Sequence, residues 1–112
     1  MPKKELVTEL SEGEFAKFIA DKKAKLVVVD FFAEWCMPCM MMAPVLETVA
    51  GNLEKKGVKF GKLNVDDAKE ASMKYRISNI PCIVFFKDGK EVGRSVGAMG
   101  EEQLEKKIKG FL

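Results

Sequence analysis

The sequence predicts an α/β fold, a central mixed five-stranded sheet flanked by four helices, and three observations carry that expectation. Leu26-Val27-Val28-Val29 is a continuous, mostly β-branched run of the kind found in a strand buried on both faces. Apolar patterning alternates between strand-like and helix-like segments along the chain. Near the end, Asp88-Gly89 stands between two apolar runs, a strong hairpin signal.

Taken in order, a short apolar start around Leu6 and Val7 opens the series. Ser11-Glu12-Gly13-Glu14 reads as a capping box beginning a helix, with Phe15, Phe18 and Ile19 on one face. Residues 25–32 hold the central strand. A long helix is expected over about residues 36–56, with Met42, Leu46, Val49, Ala50 and Leu53 at helical spacing. Pro44 lies inside it and cannot donate to the Met40 carbonyl, which predicts a kink. Residues 58–65 read as a strand and 67–75 as a short helix. Residues 83–86 and 91–96 flank the Asp88-Gly89 turn. The last helix carries Glu101 and Glu102 in its first turn and Lys106, Lys107 and Lys109 near its end, complementing the helix dipole. Leu104, Ile108 and Phe111 supply its core face. Strands joined first by helices and last by a hairpin require a mixed sheet with helices on both faces.

The 112 residues, 47% hydrophobic and 32% charged, suit one soluble globular domain over residues 1–112. A net charge of +2 with the two signs interspersed provides no concentrated basic patch, so no nucleic-acid partner is expected. The absence of histidine excludes Ser-His and Cys-His dyads, His-ligated zinc or haem, and imidazole acid-base chemistry. The longest apolar runs, at 26–29 and 40–46, fall far short of the roughly 18 residues a membrane span needs, and no membrane partner is expected. Residues 1–5 lead into no long apolar stretch like that of a signal peptide. With three cysteines, too few and too odd for a secreted disulfide framework, this points to a reducing, cytoplasmic setting.

The chemistry lies in Trp35-Cys36-Met37-Pro38-Cys39, which follows the buried strand and opens a helix. The first cysteine therefore stands where free N–H groups and the positive end of the dipole favour a thiolate, and it is expected to be solvent-accessible. A Cys-X-X-Cys pair serves either redox chemistry or half a zinc site. Zinc needs four ligands, and Cys82 brings the Cys and His total only to three, so the strand-to-helix context favours redox. Asp30, near the end of the buried strand, is expected to have a raised pKa and to accept the Cys39 proton near neutral pH. Its bland alternative is a strand-end cap in solvent.

The segment Val29-Asp30-Phe31-Phe32-Ala33-Glu34-Trp35-Cys36-Met37-Pro38-Cys39 resembles the active-site segment of the thioredoxin family. The likeness continues in Met42-Ala43-Pro44, Lys62-Leu63-Asn64-Val65-Asp66, Tyr75-Arg76-Ile77, Ile80-Pro81 and Val96-Gly97-Ala98, and so covers nearly the whole chain. It implies a thioredoxin-like fold and a thiol-disulfide oxidoreductase that reduces protein disulfides. Carried over by position, it implies Cys36 as attacking thiolate, Cys39 as resolving thiol, Asp30 as the buried carboxylate beneath them and Lys62 near that carboxylate. It further implies a cis Pro81, with Trp35, Met37, Pro38, Ile80, Pro81 and Gly97 bordering the substrate groove. The partners implied are protein disulfides and a thioredoxin reductase-type electron donor, with a monomer and no bound cofactor expected.

Three residues depart from the family pattern: Met37 replaces the usual Gly, Phe32 a common Trp, and Cys82 the usual Thr. An atypical Met-Pro between the cysteines keeps a glutaredoxin-like or disulfide-forming protein of the same fold as an alternative. Met37, Met40, Met41 and Met42 enrich the region in soft thioethers, which makes Cu(I) binding a competing function, although methionine is also an adaptable core filler. Cys82 itself is expected to be an inert buried residue that takes no part in turnover.

Overall fold

The computed structural model describes residues 6–112, and the reading of residues 1–5 lies outside that range. The elements run β1 (Val7–Leu10), α1 (Glu12–Ile19), β2 (Leu26–Phe32), α2 (Met37–Asn52), a 3-10 turn (Glu54–Lys56), β3 (Val58–Asn64), α3 (Lys69–Lys74), β4 (Cys82–Lys87), β5 (Lys90–Val96) and α4 (Glu101–Lys109). Together they build a five-stranded mixed sheet with four α-helices, the fold class expected from the sequence. The strand order is β1-β3-β2-β4-β5. Strands β1 and β2 run parallel to β3, β4 is antiparallel to β2, and β5 is antiparallel to β4. No described helix is long and apolar enough to cross a membrane.

All seven residues of β2 are buried, which accounts for its unbroken apolar run. Alternation along the strand divides them between two cores. Leu26 and Val28 pack with Leu46 and Val49 of α2 and Leu104 and Ile108 of α4. Val27, Val29 and Phe31 pack with Phe15 and Phe18 of α1 and Ala71 of α3. Each fully buried side chain of this kind contributes roughly 1.5–3 kcal/mol. The same alternation turns Asp30 and Phe32 toward the α2 side, and this parity positions the site.

Local chemistry explains the element ends. At the start of α1 the Glu14 carboxylate accepts from both the backbone N–H and the hydroxyl of Ser11, each at 2.9 Å. Those bonds hold the Glu14 carboxyl below its usual range. The α-helix expected to reach residue 56 ends instead at Asn52. From Leu53 the backbone tightens into the 3-10 turn, and Gly57, at φ 80°, reverses the chain into β3. The chain remains helical through Pro44. Strand β3 stops at Asn64, although the Val65 N–H still donates to the Phe32 carbonyl at 2.8 Å. Helix α3 is shorter than expected, because Asp67 and Ala68 turn back onto the Asn64 carbonyl before it begins. Phe111 lies beyond α4, yet packs on Phe85 with ring centres 5.0 Å apart. In the hairpin, Lys87 pairs with Lys90, and Asp88 and Gly89 between them have φ of 51° and 79°. Positive φ at both positions is what a two-residue turn of this hand requires.

Candidate active site

Strand β2 ends at Phe32, and a short turn delivers Trp35 and Cys36 to the N-terminus of α2. Cys36 is the N-cap: its backbone is extended, at φ −94° and ψ 107°, and its sulfur accepts the Cys39 N–H at 3.2 Å. Pro38 occupies the first turn, where a missing N–H costs nothing. Cys36 and Cys39 are joined in a disulfide with their Cα atoms 5.2 Å apart, the reach that one helical turn provides.

The expectation that Cys36 is solvent-accessible needs correction: in the disulfide state it is only 5% exposed. Phe32, Ala33 and Cys39 pack around it, with Val65 and Ile80 alongside. The Ile80 carbonyl oxygen lies 3.8 Å from its sulfur, close enough to accept from a Cys36 thiol. The residues beside it are open instead, Trp35 at 69% and Met37 at 72%. The exposed indole is held in place, since its Nε1–H donates to Asp66 Oδ2 at 2.9 Å. The Asp66 N–H in turn donates to Asn64 Oδ1 at 2.9 Å.

Opposite the disulfide, the Ile80–Pro81 peptide is cis, the conformation the resemblance implies. Pro81 is buried and Ile80 half-buried. Gly97 donates its N–H to the Pro81 carbonyl at 2.8 Å, tying the entry of β4 to the exit of β5. Its φ of 95° suits glycine, and a Cβ there would touch nothing within 4 Å. Backbone conformation, not crowding, therefore dictates the residue.

Beneath the pair, Asp30 is 3% exposed and its Oδ1 has no hydrogen-bond partner. Burial pushes its carboxyl up to about 7, against the opposing pull of the Lys62 ammonium. The solvent-cap alternative for Asp30 is thereby excluded. Asp30, Cys39, Met40, Phe32 and Lys62 line one cavity of about 230 Å³. Lys62 stands directly opposite Asp30 on β3, half-buried, with Nζ 3.9 Å from Glu9 Oε1 and 5.8 Å from the centre of the Phe32 ring. Sequence reasoning missed Glu9, Met40 as a cavity wall, and Asp66 as the anchor of the tryptophan. Of these only Asp66 lay within a segment that carries the family resemblance.

Cys82 lies apart. It pairs with Phe31 and packs in the α1 and α3 core, on the reverse face of the sheet from Asp30, and burial pushes its thiol up. Met42 is fully buried, whereas Met37, Met40 and Met41 are exposed. Among the described residues, no group of three or more Cys, Asp or Glu side chains is arranged to hold a metal ion.

Comparison with known proteins agrees with this geometry. A family model described as thioredoxin matches residues 6–110. Thioredoxin of Chlamydia pneumoniae is 44% identical over 99 residues, spanning 88% of this chain and 92% of that protein. Thioredoxin-2 of Saccharomyces cerevisiae is 45% identical over 94 residues, spanning 83% and 88%. The crystal structure of Malassezia sympodialis thioredoxin superposes with a TM-score of 0.84 at 31% identity, over 99% of this chain and 94% of that one.

Proposed function

This chain belongs to the thioredoxin family and is a thiol-disulfide oxidoreductase whose active-site pair is Cys36 and Cys39; on that premise we propose that it reduces protein disulfides in two exchange steps through Cys-Met-Pro-Cys. In the first step the Cys36 thiolate attacks one sulfur of the substrate disulfide. The Cys36–substrate bond forms, the substrate S–S bond breaks, and one substrate thiolate leaves. In the second, the Cys39 proton passes to the Asp30 carboxylate and the Cys39 thiolate attacks the Cys36 sulfur. The mixed disulfide breaks, the second substrate thiolate leaves, and the internal disulfide remains, two electrons having passed to the substrate. A thioredoxin reductase-type donor returns those two electrons. The cysteine pair carries them unaided, so the cycle requires no resident cofactor.

The observation that carries this reading is the cavity whose wall Asp30 and Cys39 share, both side chains being almost fully buried. An acid that titrates near 7 in that place is matched to accepting a thiol proton at neutral pH. The exposed Trp35, Met37 and Pro38, with Ile80, Pro81 and Gly97 across from them, form the rim against which a substrate chain lies. We assign the protein to the cytoplasm, because a free, buried Cys82 in a chain that also carries a reducible pair suits a reducing compartment, and we take it to act as a monomer.

Insulin reduction with dithiothreitol as electron source tests the proposal. Wild type accelerates precipitation of the freed insulin chain, Cys36→Ser abolishes the acceleration, and Cys39→Ser accumulates a trapped mixed disulfide. Turnover by Cys36→Ser, or trapping on Cys39 instead of Cys36, overturns it.

A further inference from the structure

Glu9, Lys62 and Asp30 stand side by side across three neighbouring strands. Glu9 of β1 is the register partner of Lys62 on β3, and Lys62 is the register partner of Asp30 on β2. All three line the same cavity as Cys39. The lysine has two carboxylates to choose between, and it lies toward the outer one: Nζ is 3.9 Å from Glu9 Oε1, while Asp30 Oδ1 remains without a hydrogen-bond partner. The Phe32 ring, 5.8 Å from Nζ, flanks it in that position. We propose that Glu9 is a positioning residue for the resolving step: by holding the Lys62 ammonium toward solvent, it keeps that cation off Asp30 and leaves Asp30 basic enough to take the Cys39 proton.

The proposal rests on the acceptor role given to Asp30 above. A lysine seated against the Asp30 carboxylate would stabilise the anion and weaken it as a base. The step at stake is Cys39–SH plus Asp30–COO⁻ giving Cys39–S⁻ plus Asp30–COOH, followed by attack of that thiolate on the Cys36 sulfur. The titratable and charged groups facing Asp30 are Lys62 from β3, Glu9 from β1, Cys39 and Glu47 from α2, and Glu34 from the turn before it. Strand β4 presents the apolar Ile83 opposite Asp30, with the Cys82 thiol on its reverse face. Glu9 is the only one of the carboxylates paired with Lys62 among the described ion pairs.

The test follows the Asp30 carboxyl carbon by NMR titration of the disulfide form, in which Cys39 does not titrate, in wild type, Glu9→Gln and Glu9→Asp. Glu9→Gln releases Lys62 and removes an anion, and both effects lower the Asp30 midpoint, by roughly half a pH unit for charges screened at this distance. Glu9→Asp keeps the charge and stays near wild type. In a Lys62→Met background the Glu9→Gln shift shrinks to less than half, because only the direct repulsion remains. Stopped-flow resolution of the mixed disulfide should show its pH profile moving by the same amount as the midpoint. An unmoved Asp30 midpoint in Glu9→Gln, or a full shift without Lys62, overturns the positioning role. A midpoint that falls while the rate profile stays overturns Asp30 as acceptor, and Glu9's part in the step with it, although the charge coupling itself stands.

Discussion

The Trp35 indole, although 69% exposed, is fixed by a 2.9 Å hydrogen bond from its Nε1–H to the Asp66 carboxylate, 31 residues along the chain. An apolar ring beside a reactive sulfur is thus held ready without being buried. Fixing it in advance reduces the ordering cost when a substrate docks. Asp66→Ala should release the ring and raise KM for a protein disulfide roughly three- to ten-fold, in keeping with the loss of one charge-assisted hydrogen bond. The maximal rate should change little. Steady-state kinetics with an insulin substrate, with Trp35 emission as a second readout, checks this. An unchanged KM would show that the ring needs no anchor.

The acceptor role proposed for Asp30 ties catalysis to stability. Its carboxyl titrates at about 7 in the folded protein against about 3.9 in an unfolded chain. Between those values the folded state holds the extra proton, so stability falls as pH rises through the window, by roughly 4 kcal/mol in total. Asp30→Ala should therefore exceed wild type by roughly 2 kcal/mol or more above about pH 8 and lose that advantage near pH 5, as the neutral acid ceases to be costly. It should also slow resolution of the mixed disulfide. Urea titrations across pH, with single-turnover kinetics, measure both effects in one variant.

Gly97 is constrained by conformation alone. Gly97→Ala should cost about 1–2 kcal/mol, since an L side chain is strained at φ 95° even in open space. The hydrogen bond to Pro81 should loosen with it and KM should rise. Chemical denaturation and insulin kinetics test the pair, and a variant as stable as wild type would show that the loop relaxes freely.

Cys82, buried against Phe31 and with its thiol pushed up, should resist alkylation. In reduced native protein, iodoacetamide should modify Cys36 first and Cys82 only after denaturation. Cys82→Ala should retain turnover within about two-fold while losing roughly 1–2 kcal/mol for the sulfur removed from the core. Peptide mapping by mass spectrometry decides the order of labelling.

The strongest local signals were the most legible. The valine run announced a two-sided buried strand, Asp88-Gly89 a two-residue turn, and Cys-X-X-Cys after that strand a redox pair. Where periodicity was the only guide, ends slipped: Leu53 keeps its core contact after the α-helix has stopped, so an apolar position alone does not mark the 3-10 turn that follows. Cys36 was misjudged because exposure depends on Ile80 and Val65, which reach it from distant parts of the chain. Glu9 carried no signal, because its meaning arises only when β1 is set in register beside Lys62.

Strand β5 forms one border of the sheet, pairing with β4 alone among the described strands. Such a border would ordinarily invite another strand to continue the ladder. Here Lys90 and Glu91 begin the strand, Arg94 is clasped by Glu91 at 2.6 Å, and the pairing with β4 slips at Phe85 and Phe86. Charge and irregular register blunt the border against self-association. The chain can therefore leave Met37, Met40 and Met41 exposed at its redox end without its own sheet becoming a template for aggregation.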